Sequence, residues 1–102
     1  MLTKKQQQSI VQKLMPYKPA QIGIFGSYAR GKEGEESDLD LLVSLKERIN
    51  LFELLDLEEE INAMLGVEVD LVTDKSINKY MEPYIRKDII YIFDDWERRS
   101  LS

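Results

Sequence analysis

Apolar residues recur at Ile10, Val11 and Leu14, the spacing of one helix face, behind a Thr3/Gln6 pair with the form of a capping box. Pro16 stops the run, so the pattern predicts a helix over 3–15. Gln21 to Phe25 is short, apolar and bounded by Gly26, which predicts a strand, a turn and then a short helical stretch around Tyr28 to Gly31. The polar loop "KEGEE" follows. From Ser37, Asp38-Leu39-Asp40-Leu41 alternates and then becomes the apolar Leu42-Val43, a second strand entered at its polar end and buried further along.

Asn50 can cap a long helix through Leu65, with Leu51, Leu54, Leu55, Ile61 and Leu65 as its core stripe and Gly66 as its stop. "VEVDLV" alternates strictly, with Val67, Val69 and Leu71 on one face and Glu68, Asp70 and Val72 on the other, and predicts strand three. Pro83 fits the first turn of a last helix carrying Tyr84, Ile85 and Ile89, and "IIYIF" supplies a short final strand. No linker or internal repeat interrupts the 102 residues, so one domain is expected: a helix at 3–15, a core at 20–93 and a frayed tail at 94–102.

Composition narrows the chemistry. The chain has no cysteine and no histidine, which removes thiol nucleophiles, zinc-thiolate sites and the commonest catalytic base, and leaves carboxylates to do any acid-base or metal work. The net charge of −5 disfavours a general attraction to nucleic acid or anionic membrane. Hydrophobic residues at 43% and charged residues at 32% suit a globular fold. No apolar run approaches the roughly 20 residues of a membrane span, and "MLTKKQQQSI" lacks a signal peptide's apolar core, so a cytoplasmic protein is expected.

On strand two, Asp38 and Asp40 point the same way because the side-chain period is two, and a neighbouring strand offering Asp70 would complete a cluster of three acids. Two like charges about 4 Å apart repel by about 4 kcal/mol at an effective dielectric near 20, so such a set calls for a cation. Hard oxygen ligands point to Mg²⁺ or Mn²⁺. The Gly26-Ser27 turn supplies the complementary part: glycine admits an anion close to the backbone, and the Ser27 amide and hydroxyl can donate to phosphate oxygens, aided by the dipole of the short helix. A phosphate cradle facing metal-binding acids makes a nucleoside triphosphate site, and the reaction it supports is nucleotidyl transfer by in-line displacement at phosphorus. Asp70 would bind the metal beside the acceptor hydroxyl or take its proton.

Gly26, Ser27, Ala29, Arg30 and Gly31, followed by Ser37, Asp38, Asp40 and Leu41, fit the pattern GSxARG then SDxDL, with Asp70 as a third acid. In these residues the chain resembles the DNA polymerase beta superfamily of nucleotidyltransferases, and in its brevity the minimal nucleotidyltransferases that resemble MNT antitoxins. The resemblance spans Ala20 to about Phe93. It implies an α/β (α+β) fold with a small mixed sheet and helices packed against it. It further implies a catalytic set of Asp38, Asp40 and Asp70 holding Mg²⁺, and a nucleotide site at Gly26, Ser27, Arg30 and Ser37. Members of the family are often paired with a HEPN-domain toxin, and some transfer AMP from ATP to a tyrosine on it. The resemblance thus implies an adenylyltransferase antitoxin, working in a hetero- or homo-oligomer. The alternatives are an antitoxin that neutralises its partner by contact alone and a nucleotidyltransferase for a small-molecule acceptor.

Three features stand outside that constellation. Arg30 can reach a phosphate, pair with an acid of the "KEGEE" loop or brace the turn. Lys4, Lys5, Lys13 and Lys18 near helix one form a solvated face or touch an acidic partner. Tyr80, Tyr84, Tyr91, Phe93 and Trp96 gather toward the C-terminus, where they complete the core or make a protein contact.

Overall fold

Thr3 and Gln6 exchange hydrogen bonds, the Gln6 N–H donating to Thr3 Oγ1 at 3.1 Å and the Thr3 N–H to Gln6 Oε1 at 2.9 Å, and this capping box opens α1 (Lys4–Leu14). The computed structural model describes residues 2–32, 34 and 38–95. After a short 3-10 turn at Met15–Tyr17 come β1 (Pro19–Phe25), β2 (Leu39–Leu45), α2 (Leu51–Leu65), β3 (Val69–Thr73), a second 3-10 turn at Asp74–Ser76, α3 (Glu82–Asp88) and β4 (Ile90–Asp94). Asn50 and Glu53 repeat the capping box at α2, and Gly66, in the left-handed region at φ 73°, closes that helix through its N–H to the Asn62 carbonyl.

The strands form one mixed sheet in the order β3-β2-β1-β4. β1 runs antiparallel to β2 and β4, whereas β2 and β3 are parallel, which requires the crossover that α2 provides. Register puts Ile22 beside Val43, Ile24 beside Leu41, and Leu39 and Leu41 beside Val69 and Leu71. These residues share one face and are buried against Ile10 and Leu14 of α1 and Leu57 and Ile61 of α2. At about 1.5–3 kcal/mol for each fully buried aliphatic side chain, this layer is the main source of the fold's stability.

The helix face differs from expectation. Leu57 is 2% exposed, whereas Leu51 is 65% and Leu55 47% exposed. The buried stripe is Leu54, Leu57, Ile61 and Leu65, at spacings of three and four, and Leu51 and Leu55 fall on its flank because only one narrow arc of a helix can face the sheet. Of the C-terminal aromatics, Phe93 packs against the core while Tyr80, Tyr84 and Tyr91 are exposed; Trp96 lies outside the described residues, as does the tail from 96 onward. Asp94 ends β4 and Asp95 pairs with Lys46, so the first two residues of the expected frayed tail are tied to the fold. Lys13 and Lys18 pair with the chain's own Glu60 and Glu47, each at 3.2 Å.

β3 is an edge strand whose outward amides would otherwise be open to pairing. α2 covers them: the Val69 N–H donates to Asn62 Oδ1 at 2.7 Å and the Leu71 N–H to Glu58 Oε2 at 2.9 Å. Asp70 sits between these two anchors.

Candidate active site

The second face of the sheet carries a row set by strand register. Phe25 pairs with Asp40 across β1 and β2, and Asp40 pairs with Asp70 across β2 and β3. Parallel in-register neighbours point the same way, so the two carboxylates share a face opposite the apolar core. Asp38 lies exposed just before β2, two residues from Asp40. The next row of this face, Gly23, Leu42 and Val72, lies partly beneath the C-terminal end of α3, where the Ile89 side chain fills the space a Cβ at Gly23 would need.

Burial pushes the Asp40 carboxyl up from its ordinary value, the negative charges of Asp70 and Asp38 push it further, and the Arg30 guanidinium partly opposes them. Asp40 therefore feels the charge of both other acids. Among the described residues no group of three or more acidic side chains is set to hold a metal ion unaided. The donor set is all hard oxygen, and its negative charge, only partly offset by Arg30, suits a divalent cation that takes its remaining ligands from phosphate and water.

Gly26 follows β1 at φ 73°. A Cβ there would collide with the Asp40 carboxylate, so glycine is what lets the turn lie directly against the acid. Residues 26–31 form a turn where a short helix was expected: the Arg30 N–H reaches the Gly26 carbonyl at 3.2 Å, but the Lys32 N–H bonds back five residues to Ser27 at 2.9 Å and no regular ladder continues. The expected helix dipole is therefore absent, and the anion-binding capacity rests on individual N–H groups. The amides of Ser27, Tyr28 and Ala29 donate to no acceptor among the described residues. Tyr28 is buried in the core and pins the turn.

Arg30 donates to Asp88 at 3.5 Å, linking the turn to the end of α3. Of the roles the sequence left open for it, the structure shows a brace, made to α3; the acids of the "KEGEE" loop lie outside the described residues. Ser37, the remaining expected nucleotide contact, lies outside the described residues. The structure thus brings Gly26, Ser27, Arg30, Asp40 and Asp70 to one corner, with Asp38 at its rim.

Sequence reasoning missed two features of this corner. Glu58 and Asn62, which hold the backbone on either side of Asp70, follow Leu57 and Ile61 directly; polar residues on the border of a buried stripe were the one signal available. The other is a pocket of about 230 Å³ beside Asp70, walled by Phe25, Val72, Ile77, Met81 and Ile85, which joins segments far apart in the chain.

The model of the nucleotidyltransferase domain family matches residues 4–93. The protein adenylyltransferase MntA of Thermococcus cleftensis is 39% identical over 72 residues, covering 71% of this chain and 73% of that protein. A crystal structure of a toxin-antitoxin with AMP-PNP superposes with a TM-score of 0.81 at 22% identity, covering 98% of this chain and 80% of its own. A second neighbour comes from a complex of the tri-AMPylated Shewanella oneidensis HEPN toxin with the MNT antitoxin; its TM-score is 0.75 at 19% identity, covering 97% and 79% of the two chains. These two likenesses show the minimal nucleotidyltransferase fold with its mixed sheet. Among the described residues no helix is long and apolar enough to cross a membrane. With its glycine turn laid against paired strand aspartates and its whole folded core matched, the chain belongs to the nucleotidyltransferase domain family.

Proposed function

We propose that this nucleotidyltransferase moves AMP from ATP to a tyrosine hydroxyl of a HEPN-domain toxin and so acts as its antitoxin. The observation that carries the reading is the register pair Asp40 and Asp70, set against a turn whose free amides suit phosphate oxygens. Its support from relatives is the adenylyltransferase name of one and the AMPylated toxin bound to another.

The amides following Gly26 and the Ser27 hydroxyl receive the triphosphate, while Arg30, braced by Asp88, faces the same negative charge. Asp38, Asp40 and Asp70 would hold Mg²⁺ or Mn²⁺, which when bound neutralises charge on the triphosphate and on the developing transition state. Asp70 takes the proton of the acceptor hydroxyl. The acceptor oxygen forms a bond to the α-phosphorus, the bond from that phosphorus to the bridging oxygen breaks, and pyrophosphate leaves with the electron pair. AMP remains on the acceptor as a phosphodiester.

The experiment is transfer from α-labelled ATP, with Mg²⁺, to a HEPN-domain protein recovered in complex with the chain, followed by mapping of the modified residue. Label on a tyrosine that disappears with Asp40→Asn is the expected result. Undiminished labelling by Asp40→Asn, or suppression of the toxin with no label at all, would overturn it, the second in favour of neutralisation by contact.

A further inference from the structure

The pocket beside Asp70 is too small for the nucleotide and too apolar for its phosphates. Its volume of about 230 Å³ falls below the roughly 300–1,000 Å³ of sites that enclose a drug-sized ligand. Phe25 and Val72 contribute from the sheet, Ile77 and Met81 from the segment after β3, and the buried Ile85 from α3. Such walls favour a flat hydrocarbon group over a hydroxymethyl or an ammonium.

The polar groups at its edge are unequal. The Ser76 hydroxyl is engaged with Thr73, and the Asn78 side-chain oxygen already accepts from the Tyr80 N–H at 3.0 Å and the Met81 N–H at 2.9 Å. The Asp70 carboxylate is exposed and accepts no hydrogen bond among the described residues. One free acceptor at the edge of an apolar slot matches a ring bearing a single hydroxyl. Met81, at the wall, is itself exposed and offers a surface on which the rest of a protein acceptor can rest.

We infer that this pocket is the acceptor subsite: it receives the aromatic ring of the acceptor tyrosine, turns the phenol hydroxyl toward Asp70, and thereby selects tyrosine over serine and threonine. The inference rests on the proposed adenylyl transfer. It assigns Ile77 and Met81, which wall the pocket from the segment after β3, to specificity.

The test follows methyl NMR signals of the full chain in two steps. Mg²⁺ with AMP-PNP is added first, then N-acetyltyrosinamide, with N-acetylserinamide in a parallel titration. Nucleotide is expected to shift the Ala29 methyl in the turn, and the tyrosine amide, but not the serine amide, to shift the methyls of Val72, Ile77, Met81 and Ile85. If nucleotide produces no response at the turn, the transfer reading falls and this inference with it. If nucleotide binds but the tyrosine amide leaves those methyls unmoved, only the pocket assignment fails. Methyls that respond fully to nucleotide alone would give the pocket to the adenine base and overturn the assignment as well. A second measurement uses Met81→Ala, at an exposed position that folding tolerates: labelling of the HEPN-domain protein should fall about tenfold, what a lost methylene-scale contact or two supplies, with AMP-PNP affinity unchanged. Equal labelling by Met81→Ala would count against it.

Discussion

The Asp40 carboxylate occupies the space in which a side chain on residue 26 would begin. The Gly26 turn and β2 are therefore one packed unit, although about a dozen residues separate them in sequence. Gly26→Ala faces two penalties: the clash with Asp40, and the left-handed φ of 73°, which costs a non-glycine residue roughly 1–2 kcal/mol. Gly66→Ala faces only the second, since open space surrounds that position. Both variants should lose stability in denaturant melts. Only Gly26→Ala should also lose nucleotide affinity, by tenfold or more in calorimetry; equal nucleotide binding by the two would dissociate the turn from the site.

The raised Asp40 carboxyl makes stability depend on pH in a defined direction. The folded chain holds this proton more tightly than the unfolded chain, so the stabilisation is complete below the unfolded value near 3.8 and is lost as pH rises through the elevated folded value. At neutral pH without cation, the ionised group is a burden on the fold. Asp40→Asn should therefore melt higher than the parent at pH 7, and the gap should close as pH falls toward 3.8. A gap that is constant across this range, or of opposite sign, would show that burial and the neighbouring acids do not govern this carboxyl.

Glu58 and Asn62 hold the two edge amides that flank Asp70. Removing one partner leaves an amide of a half-buried strand without its acceptor, at a cost of about 1–3 kcal/mol. Asn62→Ala should lower stability by that amount and slow transfer, since the backbone that aims Asp70 is released. Amide hydrogen exchange should rise selectively at Val69, while Leu71, whose N–H donates to Glu58, stays protected. Exchange unchanged at Val69 would mean that water or a neighbour replaces the Asn62 oxygen.

The Arg30 to Asp88 pair is a test of position more than of stability. At 3.5 Å and partly exposed on both sides, it contributes about 0–1 kcal/mol to folding. Asp88→Asn should leave the melt almost unchanged while weakening the hold on Arg30, and the expected effect is a higher KM for ATP with kcat little altered. A fall in kcat with KM intact would assign Arg30 to the transition state.

What the sequence made legible follows from local rules. The capping box at Thr3, the cap at Asn50, the stop at Gly66, and the alternation around Asp38-Leu39-Asp40 and Asp70 each depend on neighbours within a few residues. The failures are non-local. Nothing near Leu55 reveals that Leu57 wins the sheet-facing position, because that is settled by how α2 crosses strands distant in sequence. The helix expected after Ser27 gives way to a turn, since buried Tyr28 ties the segment to the core before a second helical turn can form. The partner of Arg30 lies 58 residues away, and the apolar slot beside Asp70 exists only once α3 has folded over the sheet.

Asp70 offers the sharpest separation between binding and chemistry. It shares a register position with Asp40, but it is exposed, at the edge strand, and opens onto the apolar pocket, whereas Asp40 abuts the phosphate turn. Loss of Asp40 should therefore harm nucleotide capture and transfer together. Asp70→Asn keeps the shape and one carbonyl oxygen but removes the charge and the basicity that can accept a hydroxyl proton. Nucleotide affinity should survive within a few-fold, while transfer falls by the roughly 100-fold or more that removal of a general base produces. Its melting point should stay close to the parent's, because the side chain makes no hydrogen bond among the described residues that the fold would miss. ATP affinity, single-turnover labelling and a melt on one preparation measure all three, and transfer that persists at the parent's rate would remove Asp70 from the reaction.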